Sequence, residues 1–228
     1  MRLPVWTTLV AAAAIAAALS GAATAHSPNG TATYFGIRPD MRLCPSPACG
    51  GWWASRVNRS VTICGNGLPG EECYAAELDL AALKLSDERR TALERAAATG
   101  TTLLRGRLER RPGSGPPPLD KLGVLVVTEA WLRHGRARLR GTVFRVEDNG
   151  VRCVRAPCFS LHVSVLNTTV HQNVSSLDLA ASGAGLAAVR RARAALGTAG
   201  VLVEGRVVAG PLAGGKTLRA GAFWLRAA

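Results

Sequence analysis

Two stretches of this chain, about a hundred residues apart, carry nearly the same sequence pattern. YFGIRPDMRLCPSPACGGWWASRVNRS begins at Tyr34 and VFRVEDNGVRCVRAPCFSLHVSVLNTT begins at Val143. With a constant offset of 109 residues, a C-x4-C pair, an apolar run and an Asn-x-Ser/Thr triplet of the first stretch fall on the same features of the second. The aligned pairs are Phe35 with Phe144, Cys44 with Cys153, Cys49 with Cys158 and Asn58 with Asn167.

The match resumes in the same order further along both halves. LDL at residues 78–80 falls on residues 177–179, LLRGRL at 103–108 falls on LVEGRV at 202–207, and AWLR at 130–133 falls on FWLR at 223–226. Ordered matches of this kind indicate a tandem duplication. We therefore expect two homologous units of ordinary domain size, residues 31–134 and residues 140–228.

The N-terminus has the pattern of a secretory signal. Arg2 precedes an apolar stretch over residues 9–19, and Ala23-Thr24-Ala25 supplies the small residues of a cleavage site. The sequence predicts a signal peptide over residues 1–25, cleaved near Ala25, with an uncleaved anchor as the alternative. Nothing later reaches the roughly 20 apolar residues of a membrane helix. We expect a secreted or periplasmic mature chain without a membrane span.

Cysteine usage is consistent with export, because the chain has six Cys, an even number. The duplication selects a pairing: Cys44–Cys49 and Cys153–Cys158 within the two repeats, which leaves Cys64 and Cys73 to pair around an insertion in the first unit. A C-x4-C pair can also hold zinc. However, Pro lies inside both loops and the four His form no cluster with ligand spacing. We expect disulfides and no metal site.

Each unit shows the same series of secondary-structure signals, which predict an α+β fold of two ββαββ units, each an antiparallel sheet with one helix. Ser86 and Gly100 bound the first helix, and the second has an apolar stripe of Leu186, Val189 and Leu196. A mid-strand glycine follows in each unit, at Gly106 and Gly205. We expect Trp131 and Trp224, at equivalent positions, to lie across these glycines.

The formal charge is +13, almost all of it arginine. The densest run, Arg133, Arg136, Arg138 and Arg140, lies at the junction of the units and is a candidate basic patch for an anionic envelope polymer. A GC-rich genome would give the same composition without such a role. Aromatic residues make up 5% of the chain, too few for a set of base-stacking platforms, so nucleic acid is not an expected partner.

No catalytic or cofactor motif stands out in the chain. The acidic residues Glu71, Glu72, Glu77 and Asp79 keep no paired-carboxylate pattern in both units. Asp79 and its repeat partner Asp178 are expected to brace a turn before the helix. Asn58 and Asn167 belong to Asn-x-Ser/Thr sequons, but the composition looks bacterial and a turn-forming role is preferred. We expect neither enzyme activity nor a cofactor.

Three spaced motifs carry a resemblance: R-x-C-x-x-P-x-C-G-G followed by V-N (residues 42–58), C-Y-x-A-E-L-D (residues 73–79) and G-x-R-C-x-x-x-P-C (residues 150–158). In these motifs the chain resembles a family of secreted bacterial proteins with a domain of unknown function, over nearly all of the mature chain. Phe159 departs from the small or Pro residue expected after the second Cys. The resemblance implies export and a disulfide-pinned double domain, and it transfers no catalytic residues.

We interpret the chain as a non-enzymatic binding or structural protein whose contacts lie on the two bridged loops. The candidate contact residues are Pro45, Pro47, Trp52, Trp53, Arg155, Pro157 and Phe159. One alternative is a protease inhibitor that presents a disulfide-braced loop, and another is a hydrolase acting on envelope material, which needs a cleft of convergent polar groups. An unknown protein or an anionic envelope polymer is the expected partner. The sequence leaves its identity and the oligomeric state open.

Overall fold

The computed structural model describes residues 32–111, 113, 119, 122–135 and 141–227. The predicted signal peptide, residues 1–25, lies outside these ranges. Within them the protein is mostly β with two helices, so the α+β class is confirmed. The principal strands form one large, mainly antiparallel sheet.

The described residues of the first unit form seven strands and one α-helix. Their bounds are β1 Thr33–Pro39, β2 Trp52–Arg56, β3 Thr62–Ile63, β4 Pro69–Gly70, β5 Cys73–Asp79, α1 Asp87–Ala98, β6 Thr102–Arg110 and β7 Gly123–His134. The short strands β3 and β4 make a separate hairpin between β2 and β5.

The described residues of the second unit form six strands and one α-helix in the same order, without the hairpin. Their bounds are β8 Thr142–Asp148, β9 Leu161–Val165, β10 His171–Val174, β11 Ser176–Asp178, α2 Leu186–Ala195, β12 Val201–Ala209 and β13 Lys216–Arg226. Strands β10 and β11 together occupy the place of β5.

Strand pairing closes each unit into a barrel. In the first unit the order runs β1, β2, β5, β7, β6 and back to β1, with β5 parallel to β7 and the other pairs antiparallel. The second unit repeats this closure with β8, β9, β10–β11, β13 and β12. This is the strand order of the OB-fold, a five-stranded Greek-key barrel with its helix between the third and fourth strands.

The expected ββαββ unit was therefore one strand short. The missing strand is β5 in the first unit and β10–β11 in the second. It lacks a clear alternating pattern, because acidic residues and an irregular register at Ala75 and Glu77 interrupt it. It is nevertheless the strand that closes the barrel by pairing in parallel with β7.

The first helix follows its sequence signals closely. The Ser86 hydroxyl accepts a hydrogen bond from the Arg89 amide, and Asp87 and Glu88 lie in the positively polarised first turn. Gly100 ends the segment with a φ of +66°, a conformation that favours glycine. Leu93 and Ala97 are the buried side chains of this helix.

The predicted apolar stripe of the second helix was right for Val189 and Leu196, which pack against the barrel core, and wrong for Leu186. Leu186 is 81% exposed, and the side chains that α2 buries are Ala188 and Ala192. These small side chains let the helix lie close on its barrel, and they share a core cluster with Leu218 and Ala220.

The two barrels join through strands β7 and β13, which pair antiparallel with Leu132 opposite Leu225. Beneath this pairing lies a junction core in which three pairs of residues come from equivalent positions of the two units. Its buried residues are Tyr34, Leu103, Trp131, Val143, Leu166, Leu202, Ala222 and Trp224. Both tryptophans are fully buried, and burying a large apolar side chain contributes roughly 1.5–3 kcal/mol. The junction is therefore a structural core.

The predicted contact between these tryptophans and the mid-strand glycines was wrong. A Cβ at Gly106 would overlap the carbonyl oxygen of Val126, and one at Gly205 would overlap that of Arg219. Each glycine directly follows a shift of register between its strand and the neighbouring strand. The close approach is thus made by backbone, and the tryptophans are free to fill the junction.

Asn58 and Asn167 hold the junction reciprocally. The Asn58 amide nitrogen donates to the carbonyl oxygens of Val143 and Leu166 at 2.7 and 3.2 Å, and its oxygen accepts from the Val143 amide at 2.9 Å. Asn167 makes the equivalent bonds to Tyr34 and Val57 of the first unit. Both asparagines have φ near +60°, the left-handed turn conformation that Asn tolerates. Each turn therefore fixes its unit to the other one.

Candidate functional site

A cavity of about 470 Å³ opens on the first barrel, outside strands β2 and β5. The bridged loop between β1 and β2 forms one side, the β3–β4 hairpin another, and the segment before β7 a third. The residues that line it are Arg42, Cys44, Ala48, Trp53, Cys64, Asn66, Leu68, Pro69, Gly70, Glu72, Cys73, Tyr74, Leu119 and Leu122. We call this cavity the loop pocket.

Two aromatic rings form the floor of the loop pocket. Trp53 on β2 lies directly opposite Tyr74 on β5, and the rings meet edge to face with centroids 5.5 Å apart. The Tyr74 hydroxyl donates to the Pro47 carbonyl at 2.9 Å and accepts from the Gly51 amide at 3.0 Å. These bonds fix the tyrosine between its strand and the bridged loop, so the floor is preorganised.

A buried carboxylate organises the bridged loop. Asp40 accepts hydrogen bonds from the Arg42 guanidinium at 2.9 Å and from the Arg42 backbone amide at 3.1 Å. The Trp53 indole nitrogen is a further donor, at 3.3 Å. The Arg42 guanidinium is the largest cause that lowers the pKa of Asp40 to about 2. Arg42 also lies over the Trp53 and Tyr74 rings, 5.0 and 5.2 Å from their centroids, so cation–π contacts connect the loop to the floor.

Disulfides brace the walls. The described residues form three, Cys44–Cys49, Cys64–Cys73 and Cys153–Cys158, the pairing that the duplication predicts. Cys44–Cys49 closes the bridged loop, and Cys64–Cys73 attaches the β3–β4 hairpin to β5. Both contribute to the pocket lining. In the loop-entropy model each short bridge contributes about 2–3 kcal/mol.

Large apolar side chains are exposed on and beside the loop pocket. Leu68 in its lining is 58% exposed and Leu119 is 38% exposed. On the bridged loop, Met41 is 81% exposed and Leu43 is fully exposed. Arg38 and Glu72 form an ion pair at the edge. An apolar concavity with a polar rim is typical of a binding surface.

The second unit has different side chains at the equivalent places. His162 stands where the first unit has Trp53, and Asn173, opposite it across the strands, stands where the first unit has Tyr74. The His162 ring lies 3.3 Å from the Asn173 side-chain oxygen and 5.4 Å, between ring centroids, from His171. The aromatic floor therefore belongs to the first barrel.

The structure separates the predicted contact residues into two places. Trp53 lines the loop pocket, and the Pro47 carbonyl supports the floor of the pocket. Pro45 is exposed on the bridged loop, and Trp52 packs against the core of the first barrel. Arg155, Pro157 and Phe159 lie on the second bridged loop, and none of them lines the loop pocket.

Sequence reasoning missed Tyr74, Leu68 and the pair of Asp40 and Arg42. The one signal for Tyr74 was its place in the C-Y-x-A-E-L-D motif, directly after a bridged cysteine. The signal for Asp40 was its alignment with Asn149. Asn149 also braces its loop, since it accepts from the Val151 amide and donates to the Phe159 carbonyl.

The remaining predicted features lie elsewhere. Arg133 of the predicted basic patch lies 5.9 Å from the Trp224 ring centroid, whereas Arg136, Arg138 and Arg140 lie outside the described residues. Asp79 and Asp178 accept hydrogen bonds from the Ala81 and Ala180 amides and so brace the turns before the helices.

Two kinds of feature were not found in the described part of the chain. Its His, Cys, Asp and Glu side chains form no group of three that could hold a metal ion. No described helix is long and apolar enough to cross a membrane.

The fold and the site together define a double barrel of OB-type strand order with a loop-lined apolar pocket on its first barrel. Over residues 33–228 the chain matches the family described as Domain of unknown function (DUF6748), and it belongs to that family. No curated protein and no solved structure matches it significantly. The three disulfides indicate an oxidising extracellular or periplasmic setting.

Proposed function

We propose that this protein is an exported, non-enzymatic binding protein that holds its partner in the loop pocket. The observation that carries the proposal is the preorganised aromatic floor of Trp53 and Tyr74, surrounded by exposed leucines and two disulfides. Such a surface gains affinity from apolar burial without ordering its own loops.

We propose that the double barrel arose by tandem duplication, with units over residues 31–134 and 140–228. The same strand order in both halves supports this, as do the equivalent Asn and Trp positions at the junction. Export is proposed to follow from a signal peptide over residues 1–25, removed near Ala25.

The position of the pocket supports binding by analogy with other OB-type barrels. Their ligands lie on the face of the second and third strands, between the loops that flank it. Here β2 and β5 supply Trp53 and Tyr74 to that face. Fold analogy carries no ligand identity. The largely apolar lining favours an apolar or aromatic group of the partner.

The polar groups of the pocket support binding more than catalysis. Glu72 is the one carboxylate among the described residues of the lining, and it is paired with Arg38. A catalytic site needs a nucleophile or base with a second group that positions it. The described lining offers no such pair.

A retention experiment tests the proposal. The oxidised protein is immobilised and challenged with the envelope and culture fractions of its source, beside the variants Leu68→Asp and Leu186→Asp. Leu68 is exposed in the pocket and Leu186 is exposed on α2, so both variants place a charge on a solvent-facing leucine. We expect Leu68→Asp to lose a component that the wild type and Leu186→Asp retain at high salt.

Equal retention by both variants would contradict the proposal. Loss by both would indicate a surface effect unrelated to the pocket. Unchanged unfolding midpoints for the two variants show that any difference comes from the surface and not from folding.

A second candidate function is protease inhibition. The fully exposed Leu43 directly precedes the Cys44–Cys49 bridge, and Val154, also fully exposed, lies inside the second bridge. A braced loop that presents an apolar side chain suits the cleft of a protease. Stoichiometric inhibition of a protease panel, lost in Leu43→Asp, is the expected result, and intact protease activity throughout would eliminate this function.

A further inference from the structure

A second cavity lies where the two barrels meet, and it is rich in arginine. It encloses about 440 Å³ between the ends of β1 and β2, strands β6 and β8, and the turn after β9. Arg56, Arg59 and Arg105 of the first unit and Arg145 of the second unit line it, and no Asp or Glu is among the described residues of its lining. We call it the junction groove.

The positive charge of the junction groove is only partly compensated. Arg105 pairs with Glu129, and Arg145 pairs with Glu147, each at 2.7 Å. Arg56 and Arg59 form no ion pair within the described part of the chain; the Arg59 Nε donates instead to the Asn167 carbonyl at 2.9 Å. The guanidinium charges of Arg56 and Arg59 therefore have no carboxylate partner among the residues that the structure describes.

The Arg56 side chain also lacks a partner at a buried atom. Its Nε is buried, and no group of the described residues accepts its proton. Leaving a buried donor unpaired costs about 1–3 kcal/mol, more if it is charged. Such groups in native proteins commonly bond a water or an ion.

The sequence repeat allows a comparison within the molecule. Each residue that lines the groove has an equivalent residue in the other unit, and these equivalents define a second position at the junction. Val165, Thr168, Glu204 and Gly36 occupy the places equivalent to Arg56, Arg59, Arg105 and Arg145. None of these four is an arginine, although Arg59 is also present there as the equivalent of Thr168, and the strands dock in the same way. Docking of the barrels therefore does not require arginine at the places of Arg56, Arg105 and Arg145.

We propose that the junction groove binds an oxyanion, a phosphate or sulfate group. Guanidinium groups match the geometry of such anions, which accept several charge-assisted hydrogen bonds. The Thr169 hydroxyl lies in the same lining, and the Arg145 guanidinium is held toward the groove by the Tyr34 hydroxyl at 2.9 Å. The group comes either as a free ion or as part of an anionic polymer. Both units contribute, so the site exists only in the docked double barrel.

Titration calorimetry on the oxidised protein tests the proposal with three probes: inorganic phosphate, sulfate, and long-chain polyphosphate, each compared with sodium chloride at the same ionic strength. The variant Arg56→Gln/Arg59→Gln removes the two uncompensated charges. The control, Arg89→Gln/Arg90→Gln, removes two charges from exposed residues of α1. We expect the groove variant to bind phosphate or sulfate roughly tenfold more weakly or worse, and the control to bind like the wild type.

Two results would overturn the proposal: no phosphate or sulfate binding above the chloride background, or equal weakening in both double variants. If polyphosphate binds far more tightly than phosphate, and the groove variant loses this tight binding, the natural ligand is an anionic polymer. Equal affinity for the two identifies the free ion. If Arg56→Gln/Arg59→Gln does not fold, the single variant at the exposed Arg59 is measured in the same way.

Discussion

At the scale of single residues, the loop pocket depends on one buried acid. The Asp40 side chain is fully buried and bonds both Arg42 and the Trp53 indole. The bridged loop and the pocket floor are therefore held by the same carboxylate. At the aligned position of the second unit, the neutral Asn149 braces the loop without a charge.

Replacing Asp40 by Asn is expected to destabilise the protein in a way that depends on pH. The pKa of Asp40 is lowered to about 2 in the folded state, against about 3.9 in an unfolded chain. A lowered folded pKa means that the carboxylate stabilises the protein fully above about pH 4, and that this contribution is lost as pH falls toward 2. Urea unfolding of the wild type and Asp40→Asn measures this between pH 2 and pH 7.

The midpoint difference between the two proteins is expected to be largest at neutral pH and to shrink below pH 4. The acid end of the series approaches its own control, because near pH 2 the Asp40 carboxyl is protonated in nearly all unfolded chains and in about half of the folded ones. A difference that stays constant with pH would contradict an ionised Asp40.

The sequence indicated Trp53 but not its partners, for a physical reason. Contact between Trp53 and Tyr74 depends on the register of β2 against β5, and β5 was not recognised as a strand. Asp40 lies on the loop side of β1, where its alternating pattern has ended. A loop brace of this kind follows from local hydrogen bonds, which residue patterns do not show.

At the scale of elements, two irregular strands shape the barrels. Strands β6 and β12 each shift register against their neighbour just before a glycine, at Gly106 and Gly205. The same irregularity in both units lets the strand bend around the barrel. Before this shift, the regular alternation of β6 places Leu103 in the junction core and Leu104 in the barrel core, so adjacent residues of one strand fill two different cores.

Replacing Gly106 by Ala is expected to cost about 1–3 kcal/mol of folding free energy, since the added methyl group overlaps the Val126 carbonyl. Gly36→Ala is the matched control within the same barrel. Its nearest neighbour would be the Ser55 Oγ at 3.9 Å, so we expect a change within about 0.5 kcal/mol. Chemical denaturation measures both, and equal losses would contradict the close approach at Gly106.

Most elements were predictable because their signals are local. Ser86 and Gly100 bounded α1 correctly, and alternation identified β9. Leu186 was wrongly placed on the buried face because the small side chains Ala188 and Ala192 face the barrel, which no helical pattern of large residues shows. The predicted contact of Trp131 with Gly106 was wrong because the register of β6 against β7 shifts between Arg105 and Gly106. Simple alternation along the strand therefore gives the wrong neighbours for this glycine.

At the scale of the whole molecule, the two barrels share a buried junction. Equivalent residues of the two units, such as Trp131 and Trp224, meet in one buried core. The repeat in the sequence predicted two units but not that they share a continuous sheet, because pairing between β7 and β13 joins residues about 90 positions apart. Long-range pairing of this kind leaves no local signal.

Replacing Asn58 by Ala is expected to destabilise the protein by about 2–4 kcal/mol. The change leaves the Val143 amide without its acceptor and places Ala at a φ of +58°. Asn58→Gly removes the same hydrogen bonds but leaves the backbone unstrained. Its smaller loss of stability therefore measures the contribution of the hydrogen bonds between the units. Thermal or urea unfolding measures both.

The exposed Asn173→Ala is the control, with an expected change of about 0.5 kcal/mol or less. If Asn58→Ala were no worse than this control, the junction would not depend on the amide bonds.

The reciprocal asparagines also bear on how the protein is made. Asn58 and Asn167 each stand at the first position of an Asn-x-Ser/Thr triplet, where a eukaryotic secretory pathway attaches an oligosaccharide to the side-chain nitrogen. That nitrogen is the atom that donates to the opposite barrel. A sugar at either position excludes the neighbouring barrel, so yeast or mammalian secretion is expected to give open, misassembled chains, whereas production in a bacterial periplasm avoids the modification.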